Sequence, residues 1–261
     1  MKISIFGLGY VGATTAYCFK ALGHHVYGVD IDKRKIDLMN SGQILHYESG
    51  LQSFLDSIKS IGKIKATDDY KQAIINTDIS LICVGTPSQA SGEVNIDYVC
   101  SVVEDIAHSI KLKDKFHVIA VRSTIPPGTI ESNLVPLVEK VSGKKNNLDF
   151  SIAMNPEFLR EGSAIDDFFN PERIIVGTES DRVYSLFKKM YSSSSSHKIK
   201  AKYFKVGIKT AEFTKYLDNS YHALKVAFAN EIGILSRSLG IDSTKLMNLF
   251  CEDKKLNLSS Y

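Results

Sequence analysis

The chain has 261 residues, and 32 Lys+Arg against 29 Asp+Glu leave a formal charge of +3. So even a balance excludes a protein built mainly to neutralise nucleic-acid phosphates or to lie on an anionic membrane. Hydrophobic residues at 44% and charged residues at 23% exclude disorder, collagen and coiled coil for the whole chain, and the length allows one large domain or two modest ones.

Met1-Lys2 leads directly into a β-type run at residues 2–6, too short an apolar stretch for a signal peptide. No segment reaches the ~18 continuous apolar residues of a membrane span, so a cytoplasmic protein is expected. Gly7-Leu8-Gly9-Tyr10-Val11-Gly12 follows this strand and opens a helix at 11–22. In that context G-x-G-x-x-G signals dinucleotide binding: the glycines allow a tight turn, close approach to a pyrophosphate and close helix–strand packing. The helix N-terminus adds free N–H groups and partial positive charge. A second strand at 25–30 ends in Asp30, 18 residues beyond Gly12. A carboxylate there can take both adenosine ribose hydroxyls and repel a 2′-phosphate, which favours NAD. Lys33, Arg34 and Lys35 keep NADP open as a minor option.

Helices are expected at 33–40 and 51–60, a strand at 63–66, a helix at 70–75 and a strand at 79–84. The last of these runs into Cys83-Val84-Gly85-Thr86-Pro87-Ser88. A helix at 97–110 precedes a strand at 117–122 and the loop Arg122-Ser123-Thr124-Ile125-Pro126-Pro127-Gly128-Thr129. Thr86 and Thr124 each bring a hydroxyl to the strand ends where a nicotinamide or a reacting alcohol would lie; an ordinary β-to-α turn reads the same way. A helix at 130–141 leads to a strand at 150–154 and then Asn155-Pro156-Glu157-Phe158-Leu159-Arg160-Glu161-Gly162. In a helical turn Glu157 and Glu161 would share a face, one as general base and one as a ligand to sugar or backbone; helix-capping acids are the plainer alternative. A strand at 173–177 and a helix at 181–190 complete a doubly wound parallel sheet, and Ser192–Ser196 reads as a polar surface loop.

A proline-free helical pattern from Val206 to Leu239 stops at Gly240, and a second runs from 243 to 253 behind Asp242 or Ser243 as cap. Together these suggest a dinucleotide domain over residues 1–203 and a helical segment over 204–261. At about 100° per residue Lys215, Asn219, His222 and Asn230 share one face of the long helix. Lys215 can sit beside developing negative oxygen and Asn219 can hold water or an oxyanion, while Lys209, Glu212 and Lys225 read as a solvated face. His222 fits a substrate hydrogen bond and a satisfied packing role equally. The four cysteines, Cys18, Cys83, Cys100 and Cys251, show no metal or disulfide spacing, and no metal is expected.

Taken together, Ile5–Gly12, Cys83–Pro87, Arg122-Ser123-Thr124, Asn155–Glu161 and Lys215-x-x-x-Asn219 resemble the UDP-glucose/GDP-mannose dehydrogenase family along the whole chain. Ala227–Gly233 and Lys255–Tyr261 are most similar to its GDP-mannose-oxidising members. The resemblance implies a Rossmann-like fold, NAD as cofactor and oxidation of a nucleotide sugar's C6 alcohol to a carboxylate with two NAD⁺. It implies that Tyr10, Val11, Asp30, Lys35, Thr86 and Thr124 contact NAD, and that Glu161, Lys215, Asn219, His222, Asn230 and Tyr261 contact the sugar nucleotide, GDP-mannose above all. By the same likeness Lys215 and Asn219 stabilise oxyanions, Glu157 is the base that hydrolyses a thioester, and Thr124 lies near the reacting alcohol. The family's essential cysteine and third domain are expected beyond residue 261, so the chain alone is expected to be a truncated, impaired enzyme. A non-catalytic NAD-binding remnant, or a dehydrogenase of UDP-glucose or UDP-N-acetylmannosamine, is the alternative. A homodimer through the 206–239 helix is expected.

Overall fold

The computed structural model describes residues 1–43, 45–192 and 199–253. Its strands are β1 Lys2–Phe6, β2 His25–Val29, β3 Lys63–Thr67, β4 Ile79–Ile82, β5 His117–Val121, β6 Phe150–Met154, β7 Arg173–Gly177 and β8 Lys202–Val206. Its helices are α1 Tyr10–Ala21, α2 Lys33–Asn40, α3 Leu51–Ser57, α4 Tyr70–Ile75, α5 Asp97–Ile110, α6 Val135–Ser142, α7 Ala164–Phe169, α8 Asp181–Tyr191, α9 Ile208–Ser238 and α10 Ser243–Cys251. One sheet runs in the order β3-β2-β1-β4-β5-β6-β7-β8. The strand order reverses between β1 and β4, the switch point where ligands of such sheets bind.

The apolar runs of β4, β5 and β6 are buried at every residue, as expected of parallel strands covered on both faces. Alternate side chains feed two cores. Val118 and Ala120 join Phe19 of α1 and Phe187 of α8 on one face, whereas Ile119 and Val121 meet Val103 of α5 and Val138 of α6 on the other. Helix starts follow local chemistry: Asp32, Asp69 and Ser180 accept N–H groups of α2, α4 and α8.

Three features depart from the sequence reading. An eighth strand, β8, pairs with β7; its run Lys-Tyr-Phe-Lys-Val lies at the sheet edge, largely exposed, and so carries little apolar alternation. The sheet is mostly parallel, but β7 is antiparallel to β6, joined through the pair Met154 and Gly177. The connection from β6 to β7 carries the six-residue α7, absent from the sequence reading. The expected helix at 130–141 begins as a π-helical turn, Ile130–Leu134, before α6.

By contact the chain divides into two compact units, Met1–Phe213 and Thr214–Tyr261. The second contains most of α9 and all of α10, whose N-cap Asp242 accepts from Thr244 and Lys245. Phe228 and Phe250 bring these helices together, with ring centroids 5.8 Å apart. No described helix is long and apolar enough to cross a membrane.

At the amino ends of the strands lies a buried polar chain. Lys113 Nζ donates to the carbonyls of Ile74 and Thr77 and to His117 Nδ1. His117 is therefore protonated at Nε2, which meets Ser80 Oγ at 2.8 Å, and Ser80 meets Ser4. Burial pushes Lys113 down to about 8. Lys113→Met strands two carbonyls and an imidazole nitrogen and is expected to cost about 2–4 kcal/mol in urea unfolding at pH 7. Because the folded-state pKa is below the unfolded one of 10.5, the folded chain sheds this proton first. The wild type therefore gains stability over the variant as pH rises through that interval, and denaturation at pH 7 and 9.5 checks the widening gap.

Candidate active site

At the switch point a cavity of about 390 Å³ opens between the carboxyl ends of β1, β2 and β4, lined by Gly7, Gly9, Asp30, Lys35, Val84 and Gly85 among others. Gly7 has φ +89, a left-handed conformation that disfavours any side chain. A Cβ on Gly12 would lie 1.8 Å from the Gly7 carbonyl oxygen, so the turn closes only with glycine there. Gly9 is exposed and caps α1 with backbone only, leaving a bare approach to the helix N-terminus. Val11 and Tyr10 follow, both half-buried.

Asp30 holds this turn from beneath. Its Oδ2 accepts from Leu8 N at 2.6 Å and from Lys35 Nζ at 3.3 Å, and its Oδ1 accepts from Asp32 N at 2.9 Å. A carboxylate offers about four acceptor positions. The existing bonds thus leave room for one ribose hydroxyl, and for the second where half-buried Lys35 yields. Ile31, 97% exposed beside the cavity, offers an apolar surface to a flat base. Nothing here conflicts with an NAD adenosine: the glycine turn, the acid and the cavity all suit it.

Thr86 and Thr124, both half-buried, follow β4 and β5. The Thr124 loop is fastened at each end. Arg122, only 4% exposed, donates from Nη1 to Asn155 Oδ1 at 2.8 Å and to the Tyr191 hydroxyl at 2.7 Å. Asn155 in turn donates to Ile175 O. This cluster ties the ends of β5 and β6 together. At the far end, Glu212 of α9 accepts from Gly128 N and Ile130 N. Glu212 is fully buried, correcting its assignment to a solvated face; desolvation raises its pKa against the two backbone N–H groups that lower it. Lys209 pairs with Glu131 at 3.2 Å on the surface.

The expected helical turn beneath Glu157 and Glu161 is not formed. Residues 155–160 are irregular and 161–163 form a turn, because Glu157 accepts from Leu159 N at 2.7 Å and so bends the chain locally. Glu157 is half-buried and Glu161 exposed. On α9 a continuous helix keeps Lys215, Asn219, His222 and Asn230 on one face. Lys215 is 7% exposed, the other three are exposed, and Tyr261 lies outside the described residues. Leu217, Tyr221, Leu224 and Phe228 form an exposed stripe on roughly the opposite side of the helix.

Sequence reasoning missed Glu48 and His46. Glu48 is buried and accepts from Tyr10 OH, Gly162 N and Ala164 N; no short-range pattern announces partners so distant in the chain. The cysteines of the first unit are poor nucleophiles: burial raises the Cys18 and Cys100 thiols and pushes Cys83 up to about 12.

A dinucleotide-binding domain of the Rossmann type is what this topology and turn define. Residues 1–195 match the NAD binding domain of the UDP-glucose/GDP-mannose dehydrogenase family and residues 209–260 its central domain, and the chain belongs to that family. It is 42% identical over 261 residues to a GDP-mannose 6-dehydrogenase of Pseudomonas aeruginosa. To a UDP-glucose 6-dehydrogenase of Haloferax volcanii it is 34% identical over 256 residues, 98% of this chain. A crystal structure of a ternary complex of the P. aeruginosa GDP-mannose dehydrogenase superposes over the whole chain with a TM-score of 0.92 at 42% identity. The chain spans 59% of the length of each of these relatives.

The methyl of Gly12→Ala has no space, so this variant is expected to lose about 1–3 kcal/mol of stability and measurable NAD binding. Thermal unfolding and NAD titration by fluorescence check both outcomes.

Proposed function

We propose that the chain is the cofactor-binding and central part of an NAD-dependent nucleotide-sugar 6-dehydrogenase acting on GDP-mannose. The observation that carries the reading is the face of α9 shared by Lys215, Asn219, His222 and Asn230, in a chain whose first 195 residues match the family's NAD binding domain. The preference for GDP-mannose over UDP-sugars is supported by 42% identity to the former type of enzyme against 34% to the latter.

When bound, NAD would supply the hydride acceptor. The glycine turn and the α1 N-terminus would hold its pyrophosphate and Asp30 its adenosine ribose, with Val11, Lys35 and Thr86 as further contacts. Thr124 directs its hydroxyl toward the reacting alcohol or water. Glu157 would take the proton from the water that hydrolyses an acyl intermediate, a step that first needs a thiol to carry the acyl group. Lys215 and Asn219 stabilise negative oxygen, each donor lowering the barrier by about 2.7–4 kcal/mol. Glu161, His222 and Asn230, with Tyr261, bind the sugar nucleotide. The second oxidation needs a thiolate, which the environments of Cys18, Cys83 and Cys100 do not supply, and half-buried Cys251, at the end of α10, is read as a packing residue.

The 261-residue chain is therefore expected to bind NAD in calorimetric titration and GDP-mannose more tightly than UDP-glucose or UDP-N-acetylmannosamine. It is expected not to release two NADH per sugar. Steady production of two NADH would overturn the assignment of the cysteines, and NAD binding without any sugar binding would favour a non-catalytic binding module.

The apolar stripe Leu217, Tyr221, Leu224 and Phe228 supports a homodimer built on the long helix. Sedimentation equilibrium is expected to give twice the monomer mass at micromolar concentration, and Leu224→Asp to give the monomer.

A further inference from the structure

We propose that Glu48 is a positioning residue that couples the dinucleotide turn to the loop carrying Glu161, because one buried carboxylate accepts hydrogen bonds from both. The inference rests on the reading of Tyr10 as a cofactor contact and Glu161 as a sugar contact. Glu48 is 5% exposed. Its Oε2 accepts from Tyr10 OH at 2.6 Å and from Gly162 N at 3.0 Å, and its Oε1 accepts from Ala164 N at 3.0 Å. Tyr10 is the first residue of α1, directly after the capping Gly9, so its phenol reports where the phosphate-binding end of that helix lies.

The loop side is as closely fixed. Tyr10 OH, its one proton directed to Glu48, lies 3.1 Å from Arg160 O, and Arg160 closes on Asp167 with Nη2–Oδ1 at 2.6 Å and its own N–H to Oδ2 at 2.9 Å. Glu161 therefore sits between two anchored residues, Arg160 and Gly162, with its side chain exposed. Because Tyr10 and Gly162 share one oxygen, a shift of the α1 terminus on binding a dinucleotide changes the bond that holds Gly162. The His46 ring lies 4.7 Å from that of Tyr10 and meets Thr14 Oγ1, limiting the phenol to this position. Burial and the Glu48 carboxylate both raise the Tyr10 pKa, so the phenol remains a donor.

The geometry makes glutamine a poor substitute. An amide nitrogen in place of Oε1 would face Ala164 N–H, and in place of Oε2 it would face Gly162 N–H, so one backbone donor always loses its acceptor. Tyr10→Phe removes only the helix side of the coupling.

The test is amide hydrogen exchange at Gly162 and Ala164 in the full chain, by NMR, with and without saturating NAD, alongside NAD affinity by titration. In the wild type NAD is expected to slow exchange at both amides. In Glu48→Gln exchange speeds up about tenfold or more, NAD no longer alters it, and the dissociation constant for NAD rises several-fold. Tyr10→Phe, compared at an NAD concentration that saturates it by its own titration, leaves Gly162 and Ala164 their acceptor in Glu48 but loses the response of their exchange to bound NAD, a separation that a purely structural role would not produce. Wild-type NAD binding with both amides unaffected would overturn the coupling, as would Glu48→Gln that opens the loop yet binds NAD as the wild type does. A wild-type chain that binds no NAD would overturn the cofactor reading itself, and the coupling with it.

Discussion

A backbone N–H withdrawn from water without an acceptor costs about 1–3 kcal/mol, and this constraint governs how the loops above the sheet are built. Each loop that carries a site residue runs irregularly, so its donors find no partner in a ladder or helix. Three of these loops are met by a carboxylate from another part of the chain. Asp30 takes Leu8, Glu212 takes Gly128 and Ile130, and Glu48 takes Gly162 and Ala164. These acids are buried or nearly so, and their negative charge strengthens bonds to N–H groups that would otherwise be weakly held. Glu212 shows the balance: desolvation favours the protonated acid, whereas the two amides it binds favour the charge.

The remaining tie is cationic. Arg122 is buried at the end of β5 and bonds the side chains of Asn155 and Tyr191. The loops bearing Thr124 and Glu157 therefore leave the sheet from a common fixed point. Both faces of the central strands are covered, so the carboxyl ends are where polar groups can collect. The same burial raises the pKa of Cys83, beside the cavity, and so disfavours its thiolate. The candidate groups at the strand ends thus sit on loops held by charged side chains whose partners lie far away in sequence.

Much of this was legible in one dimension. The apolar runs that became β1, β4, β5 and β6, the glycine turn and Asp30 follow from local rules, because each meets its structural requirement within a few residues. The polar face of α9 was legible for the same reason: helical periodicity places Lys215, Asn219, His222 and Asn230 without reference to anything else. The edge strand β8 and the short α7 were not, since neither carries the apolar alternation that burial on both sides imposes. Glu212 was misread because its i, i+3 neighbourhood looks like any solvated helix face, and its partners stand more than eighty residues earlier.

By itself the sequence determined the fold class, the dinucleotide turn with its acid, and the family, since these rest on patterns a few residues to one supersecondary unit long. Tertiary structure alone decided the reversal of β7, the irregular path under Glu157 and the three-way bond at Glu48. The physical reason is that pairing a buried donor is a condition on space. The carboxylate of Glu48 can be chosen for Gly162 only once the fold has brought together residues 114 positions apart.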